Sequence, residues 1–245
     1  MGTSTSVTWA GELLQALGAK QTMDLMKLLR SLEEFVFEAI ALLFFYPKTL
    51  LRIVSRPLQA MEYAEQEETA NKPDAYDSAV SPPLLLLLTL LLVNAVGTAL
   101  HVSQAADAAP LARQILNSPQ NLLLFRSLLF SLIPLSAAVL LLRARGQLTS
   151  RTTLRQPFFA QCYLTSPFAL VVSMGLIATQ LHERSTAAVG AIAFALACMW
   201  MLGVQAAWFR VKLGIGWLAA LAIGFGLLVW SGACVLGVVA LVASF

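Results

Sequence analysis

The chain has 245 residues, of which 58% are hydrophobic and 12% charged, and its formal net charge is +3 at pH 7. Soluble domains are usually about 45–50% apolar and roughly 25% charged, so this composition argues against a protein that folds in water and indicates a lipid bilayer as its solvent. A net charge this small, scattered among apolar segments, also argues against a nucleic-acid partner.

The N-terminal region is amphipathic between residues 24 and 46. Apolar residues recur there every three or four positions and polar residues take the opposite face, which predicts a helix. Pro47 disfavours helical geometry at Tyr46, so we expect the helix to end there. Residues 1–23 are expected to form a flexible N-terminus. The apolar positions are Leu25, Leu28, Leu29, Leu32, Phe35, Val36, Ala39, Ile40 and Leu43.

This predicted helix is too short and too charged to cross a bilayer. Only residues 39–45 are apolar on all sides, whereas a span needs about 20 such residues. We therefore expect the helix to lie in the membrane interface. Three basic residues follow it where anionic headgroups would lie, and three apolar residues of its stripe are the candidate docking surface for a partner. The basic residues are Lys48, Arg52 and Arg56, and the docking residues are Leu28, Leu32 and Val36.

An acidic stretch follows between residues 62 and 81. It contains Glu65, Glu67, Glu68, Asp74 and Asp77 and leads to a Ser-Pro-Pro sequence at residue 81. We interpret it as a solvated helix end and linker that stays clear of the acidic membrane surface. A strip that docks a protein partner is the alternative. Residues 24–81 thus form one cytoplasmic or interfacial region.

Five apolar runs approach or exceed the roughly 20 residues that cross the hydrocarbon core. They predict an all-α fold: a polytopic membrane protein with a bundle of about five transmembrane helices over residues 82–245, preceded by the amphipathic interfacial helix. The runs cover residues 82–102, 121–142, 158–181, 186–209 and 215–245.

Small residues recur every fourth position in the last two runs. Ala187, Ala191 and Ala195 share one face of the fourth run, and Ala220 and Gly224 share one face of the fifth. Such faces let helix backbones approach closely, so we expect helix contacts there.

Basic residues in the loops predict the orientation. Six lie between runs two and three or between runs four and five, namely Arg143, Arg145, Arg151, Arg155, Arg210 and Lys212. The loops on the other side carry only Arg113 and Arg184. Because cytoplasmic loops are enriched in Lys and Arg, we expect a multi-pass protein of the cytoplasmic (inner) membrane, with its N-terminus cytoplasmic and its C-terminus outside.

Arg126 is the only charged residue well inside a predicted span. An arginine at the bilayer centre costs at least about 2.5–3.5 kcal/mol. At its predicted depth it either reaches the headgroup region or a structural partner, or it binds a substrate or lipid headgroup. The other polar residues in or near the spans are Asn94, Gln161, Tyr163 and Gln205. Hydrogen bonding between helices is their expected role, and lining a polar intramembrane site is the alternative.

The sequence contains no recognisable catalytic or metal-binding motif. No dinucleotide fingerprint, phosphate-binding loop, nucleophile elbow or HExxH is present. Cys162, Cys198 and Cys234 are isolated in apolar runs, which indicates neither a disulfide framework nor a zinc site. No acidic residue falls within a predicted span, which argues against a charge-coupled pump. We predict a protein that is not an enzyme and has no cofactor or metal.

The chain resembles the bacterial relatives of the Yip (Ypt-interacting-protein-like) family. Three segments over roughly residues 40–245 carry the resemblance, although the Asp-Leu-Tyr-Gly-Pro signature of eukaryotic members is missing and the acidic stretch and N-terminal helix are additions. The resemblance implies a non-enzymatic protein of membrane organisation or partner assembly, or a permease. The segments are residues 46–57; Gly146, Arg151, Leu154, Tyr163 and Pro167; and Gln205, Arg210, Gly214 and Trp217.

Two functions follow from the sequence. The first is a scaffold that assists assembly of a membrane complex, whose N-terminal region docks a membrane-protein partner or a second copy of the chain. The second is a permease or lipid-handling subunit, with the bilayer as its other partner and a polar lining that includes Arg126.

The predicted orientation is tested by labelling single cysteines on intact cells. In a background without Cys162, Cys198 and Cys234, Ser185→Cys should react with an impermeant maleimide and Ser150→Cys should not, because the two loops face opposite sides. The reverse pattern would invert the orientation, and equal labelling would remove the five-span topology.

Overall fold

A computed structural model describes residues 5–70, 76–100, 118–180 and 184–243. These residues are helical apart from short turns and contain no strand, so the all-α fold is confirmed. The chain divides into two compact units, Met1–Pro47 and Lys48–Phe245. The helices are α1 Thr5–Ser55, α2 Pro57–Ala70, α3 Pro82–Ala99, α4 Pro119–Ala144, α5 Arg151–Gln180, α6 Arg184–Leu213 and α7 Trp217–Ala243.

Among the described helices, α3 to α7 are the five that are long and apolar enough to cross a membrane. They coincide with the five predicted runs, and the protein is therefore an integral, multi-pass membrane protein. The largest difference in bounds is at α5, which begins at Arg151 rather than at residue 158. Ser150 and Thr153 explain the early start, since each backbone N–H donates to the other's side-chain oxygen, at 2.9 and 3.2 Å. This reciprocal capping starts a helix ahead of its apolar part.

Helix α1 is longer than the sequence predicts at both ends. It begins at Thr5, within the stretch expected to be flexible, and it continues through Pro47 to Ser55. Residues 12–17 are good helix formers (Glu-Leu-Leu-Gln-Ala-Leu), and no proline precedes Pro47. Beyond Pro47, the side chains of Thr49 and Ile53 are buried within the second unit. Packing therefore offsets the backbone hydrogen bond that the proline removes.

Helix α5 is the centre of the second unit. It packs against α2, α3, α4 and α6, and ten consecutive residues, 160–169, are buried. By contrast, only 11% of the most apolar part of α7 is buried, against 67% for α5. The other spans are thus arranged around α5, and α7 lies at the edge of the bundle against α6 and α4.

Helices α5 and α6 approach each other closely where two glycines meet. A Cβ added to Gly190 would lie 2.6 Å from the carbonyl oxygen of Gly175, so only glycine fits there. The predicted alanine face of this span was wrong, because Ala191 and Ala195 are exposed and the contact is made by Gly190. On α7, however, Ala220 and Gly224 are buried, and Gly224 lies against α6 at Leu202 and Ala206.

This crossing predicts a position-specific effect of one added methyl group. Gly190→Ala should destabilise the protein by about 1–3 kcal/mol, because the clash is with backbone and the two helices must separate. Gly203→Ala on the same helix is the matched control, since nothing lies within 4 Å of its added Cβ. Thermal unfolding of the purified protein in mild detergent measures both. Equal stability of the two variants would contradict the close crossing.

Candidate functional site

The helical part of the acidic stretch, up to Ala70, is docked on the bundle and is not a solvated linker. Helix α2 packs against α5 and α6, burying Ala60, Met61 and Ala64. Two of its carboxylates pair with basic residues that the sequence had placed in the loops. Glu65 Oε2 lies 2.6 Å from Lys212 Nζ, and Glu68 Oε1 lies 2.6 Å from Arg155 Nε. The linker interpretation was wrong because it considered the acidic charges without the facing cations. Asp74 lies outside the described residues.

The ion pair between Glu65 and Lys212 is the better shielded of the two. The Glu65 side chain is 9% exposed and that of Lys212 17%, whereas Arg155 is 59% exposed. Lys212 Nζ also lies 4.4 Å from the centre of the Trp208 ring. Removing either Glu65 or Lys212 would leave its partner's charge in a partly dehydrated site, which is costly.

The predicted basic surface residues are exposed. Lys48, Arg52 and Arg56 all reach solvent or headgroups, and the Arg52 guanidinium also lies 4.8 Å from the centre of the Tyr63 ring. Their contact with anionic lipid stays a prediction. Tyr76 lies in the same region, and burial together with the nearby Glu68 carboxylate raises the pKa of its phenol.

Tyr163 joins three segments of the second unit by hydrogen bonds. Its hydroxyl donates to the carbonyl oxygen of Val80 at 2.7 Å, and the Val80 N–H donates to Thr49 Oγ1 at 3.2 Å. All three residues are buried. Tyr163 thus fixes α5 to the entry of α3 and to the end of α1.

Gln161 and Gln205 form a reciprocal amide pair between α5 and α6. Gln161 Nε2 donates to Gln205 Oε1 at 3.1 Å, and Gln205 Nε2 donates to Gln161 Oε1 at 2.7 Å. Both side chains are buried, so the predicted hydrogen bonding between helices is confirmed for this pair. Asn94 is buried in α3, and its backbone carbonyl accepts a hydrogen bond from Thr98.

A cavity of about 1250 Å³ lies among α3 to α7. Its lining is mostly Leu, Val, Ile, Phe and Met, and Arg126 is the only charged residue among the described lining residues. Gln205 also lines the cavity, whereas Gln161, Tyr163 and Asn94 do not. The structure therefore brings two of the five predicted polar site residues to one cavity and assigns the other three to helix packing.

The cavity has a closed end and an open end. Ile133, Phe168 and Gln205 at one end are buried, whereas Phe194 and Leu236 at the other are 46% and 70% exposed. The open end lies where α5 ends and α6 begins. Helix α2 is at the opposite end of the bundle, where its ion pairs reach the start of α5 and the end of α6.

The depth of the cavity corresponds to one leaflet of a bilayer. Its lining on α4 runs from Leu122 to Ile133, which at 1.5 Å per residue is about 16 Å. On α7 it runs from Gly224 to Val239, or about 22 Å. Half of the hydrocarbon core is about 15 Å thick. The cavity is therefore at least as deep as one leaflet is thick.

Two polar groups on the cavity wall have no described protein partner. Arg126 is half-buried, and no described carboxylate forms an ion pair with it, since the two ion pairs found elsewhere use Arg155 and Lys212. The hydroxyl of Ser231 is buried without a hydrogen-bond partner among the residues described. Sequence reasoning missed Ser231 and Gly232 and assigned Gly224 to helix packing alone. The signal available was that Ser231 and Gly232 follow Gly224 by seven and eight residues, which puts all three on one face of α7.

No protein-family model, curated protein or solved structure matches this chain. The fold and the cavity define the class to which it belongs, an integral membrane protein with an internal apolar chamber.

Proposed function

We propose that this protein is a non-enzymatic, lipid-handling membrane protein that binds an amphiphilic molecule in the cavity among α3 to α7. The observation that carries the proposal is the combination of an apolar chamber one leaflet deep with a single cation on its wall. An apolar chain fills such a chamber, and a polar headgroup stays near the membrane surface.

The size and lining of the cavity support a lipid over a small polar solute. Drug-sized ligands occupy pockets of roughly 300–1,000 Å³, and this cavity, at about 1250 Å³, exceeds that range. A polar solute would need several convergent hydrogen-bonding groups, whereas the described lining offers mainly Arg126, Gln180, Gln205 and two serines. For the permease alternative, this lining therefore favours a lipid over a polar solute as the substrate.

The proposal predicts that filling the cavity removes a bound lipid. Gly232 lines the cavity and nothing lies within 4 Å of a Cβ added to it, so Gly232→Phe should occupy the space without a clash in the protein. We expect native mass spectrometry to find lipid on the wild type, and the variant to bind it at least about tenfold more weakly, or by ~1.4 kcal/mol.

Gly237→Phe is the matched control for that experiment. Gly237 lies on the same helix, equally free of neighbours, but does not line the cavity. The control should keep the lipid. A wild type without lipid, or a folded Gly232→Phe variant that binds as well as the control does, would contradict the proposal.

A scaffold is the second candidate, and the exposed apolar side chains of α1 favour it. Leu32 is 54% and Val36 47% exposed, while the side chain of Leu28 lies outside the described set. Phe35 at 69% and Leu43 at 76% extend the same stripe. Lipid at the interface or a second copy of the chain would cover it, and we favour the second copy for the scaffold.

The scaffold candidate predicts an oligomer that depends on this stripe. Replacing Leu32 and Val36 together by serine should convert the oligomer to a monomer in mild detergent, as measured by light scattering. Glu34→Ser on the polar face is the control and should leave the oligomer intact. A wild type that is already monomeric would contradict this candidate.

We further propose that the end of the bundle that carries α2 is cytoplasmic, in the inner membrane, because it holds six of the basic loop residues. The open end of the cavity would then face the outer leaflet. Membership of the Yip-like family is compatible with either candidate function.

A further inference from the structure

We infer, on the basis of the proposed function, that the ligand of the cavity is an anionic amphiphile from the leaflet opposite α2. Its acyl chain occupies the apolar depth, and its carboxylate or phosphate binds Arg126. The inference goes beyond the presence of a lipid because it specifies the charge of the headgroup and the residue that recognises it.

The position of Arg126 in α4 is the first argument. It lies seven residues after Pro119, or about 10 Å along the helix. Helix α4 has 26 residues and is about 39 Å long, so it exceeds the roughly 30 Å hydrocarbon core by only a few ångströms at each end. The backbone of Arg126 therefore lies beneath the headgroup layer, and an anion drawn to its side chain would bring a lipid headgroup to the cavity wall.

The charge around the cavity is the second argument. No described lining residue is acidic, so the guanidinium is not neutralised by the described part of the protein. A ligand anion would supply a countercharge at this position. A zwitterionic headgroup would also bring an ammonium group, and the described lining has no carboxylate to meet it.

The geometry of the donors is the third argument. A guanidinium presents its N–H donors in a planar fork that matches the two oxygens of a carboxylate or phosphate. Gln180 also lines the cavity, on the last residue of α5 and thus at the open end, where its amide adds a further donor. The buried hydroxyl of Ser231 lines the cavity wall from α7.

The experiment compares lipids that share acyl chains and differ in headgroup charge. The purified full-length protein in a non-ionic detergent is titrated with phosphatidylglycerol, phosphatidylcholine or oleate, and the bound fraction is read by native mass spectrometry. The wild type should bind an anionic lipid about tenfold more tightly than phosphatidylcholine, in proportion to one charge-assisted headgroup contact. Lysophosphatidylglycerol with one oleoyl chain, titrated in the same way, is compared with oleate to distinguish a phosphate from a carboxylate headgroup.

Variants of two arginines on the same helix test the residue. Arg126→Gln should abolish the preference for anionic lipid, and Arg126→Lys should retain part of it, because lysine keeps the charge but loses the planar fork. Arg143→Gln is the matched control, an exposed arginine at the other end of α4, and should keep the full preference. If Arg126→Gln does not fold, the inference is still tested by the headgroup preference of the wild type and by its partial retention in Arg126→Lys.

The outcomes separate this inference from the proposed function. Equal binding of all the lipids, sensitive to Gly232→Phe, would overturn the inference and leave the lipid-binding function in place. An anionic preference that survives in folded Arg126→Gln, or is lost equally in Arg143→Gln, would also overturn it. The absence of any binding sensitive to Gly232→Phe would overturn both.

Discussion

The arrangement of the bundle depends on the need to satisfy polar groups inside the membrane. Helix α5 carries four buried polar side chains within six positions: Gln161, Tyr163, Thr165 and Ser166. Each has a partner, since Thr165 and Ser166 donate to carbonyl oxygens one turn earlier at 2.8 Å. Gln161 and Tyr163 bond to α6 and to the entry of α3. Because unsatisfied groups are costly in hydrocarbon, these bonds fix which helices flank α5.

The same constraint divides the bundle into two different halves. The half near α2 holds the amide pair, the Tyr163 bonds and the two ion pairs, so its interior is filled by groups that bond to one another. The other half has few polar groups on its helices and contains the cavity. Hydrogen bonding therefore closes one half firmly, while weaker apolar contacts leave space in the other. A cavity that opens at one end of the bundle is the result.

How far the sequence predicts this structure depends on the range of each interaction. The five spans were predictable because span length and hydropathy are local, and Gln161 and Gln205 were recognised because a buried amide needs a partner. The ion pair between Glu65 and Lys212 was not predictable, since 147 positions separate the two residues. The continuation of α1 through Pro47 was not predictable either, because it depends on the packing of Thr49 and Ile53 against distant parts of the chain. The cavity was beyond prediction because it is defined by space between five helices, although Arg126 on its wall was a candidate from the sequence.

Arg126 either extends toward the headgroup layer without a ligand, or binds the headgroup of a ligand in the cavity. These two explanations differ in what they require of the rest of α4. An arginine that only extends toward the headgroups could lie on any lipid-facing side of the helix and needs no relation to other residues. Arg126 instead shares its helix face with Leu122, Leu129 and Ile133, which line the same cavity and follow the spacing of four, three and seven that marks one face of a helix. Arg126, the one charged residue more than five positions from either end of a described span, thus lies on the wall of the large cavity. Extension toward the surface does not require that coincidence, whereas recognition of an anionic headgroup does.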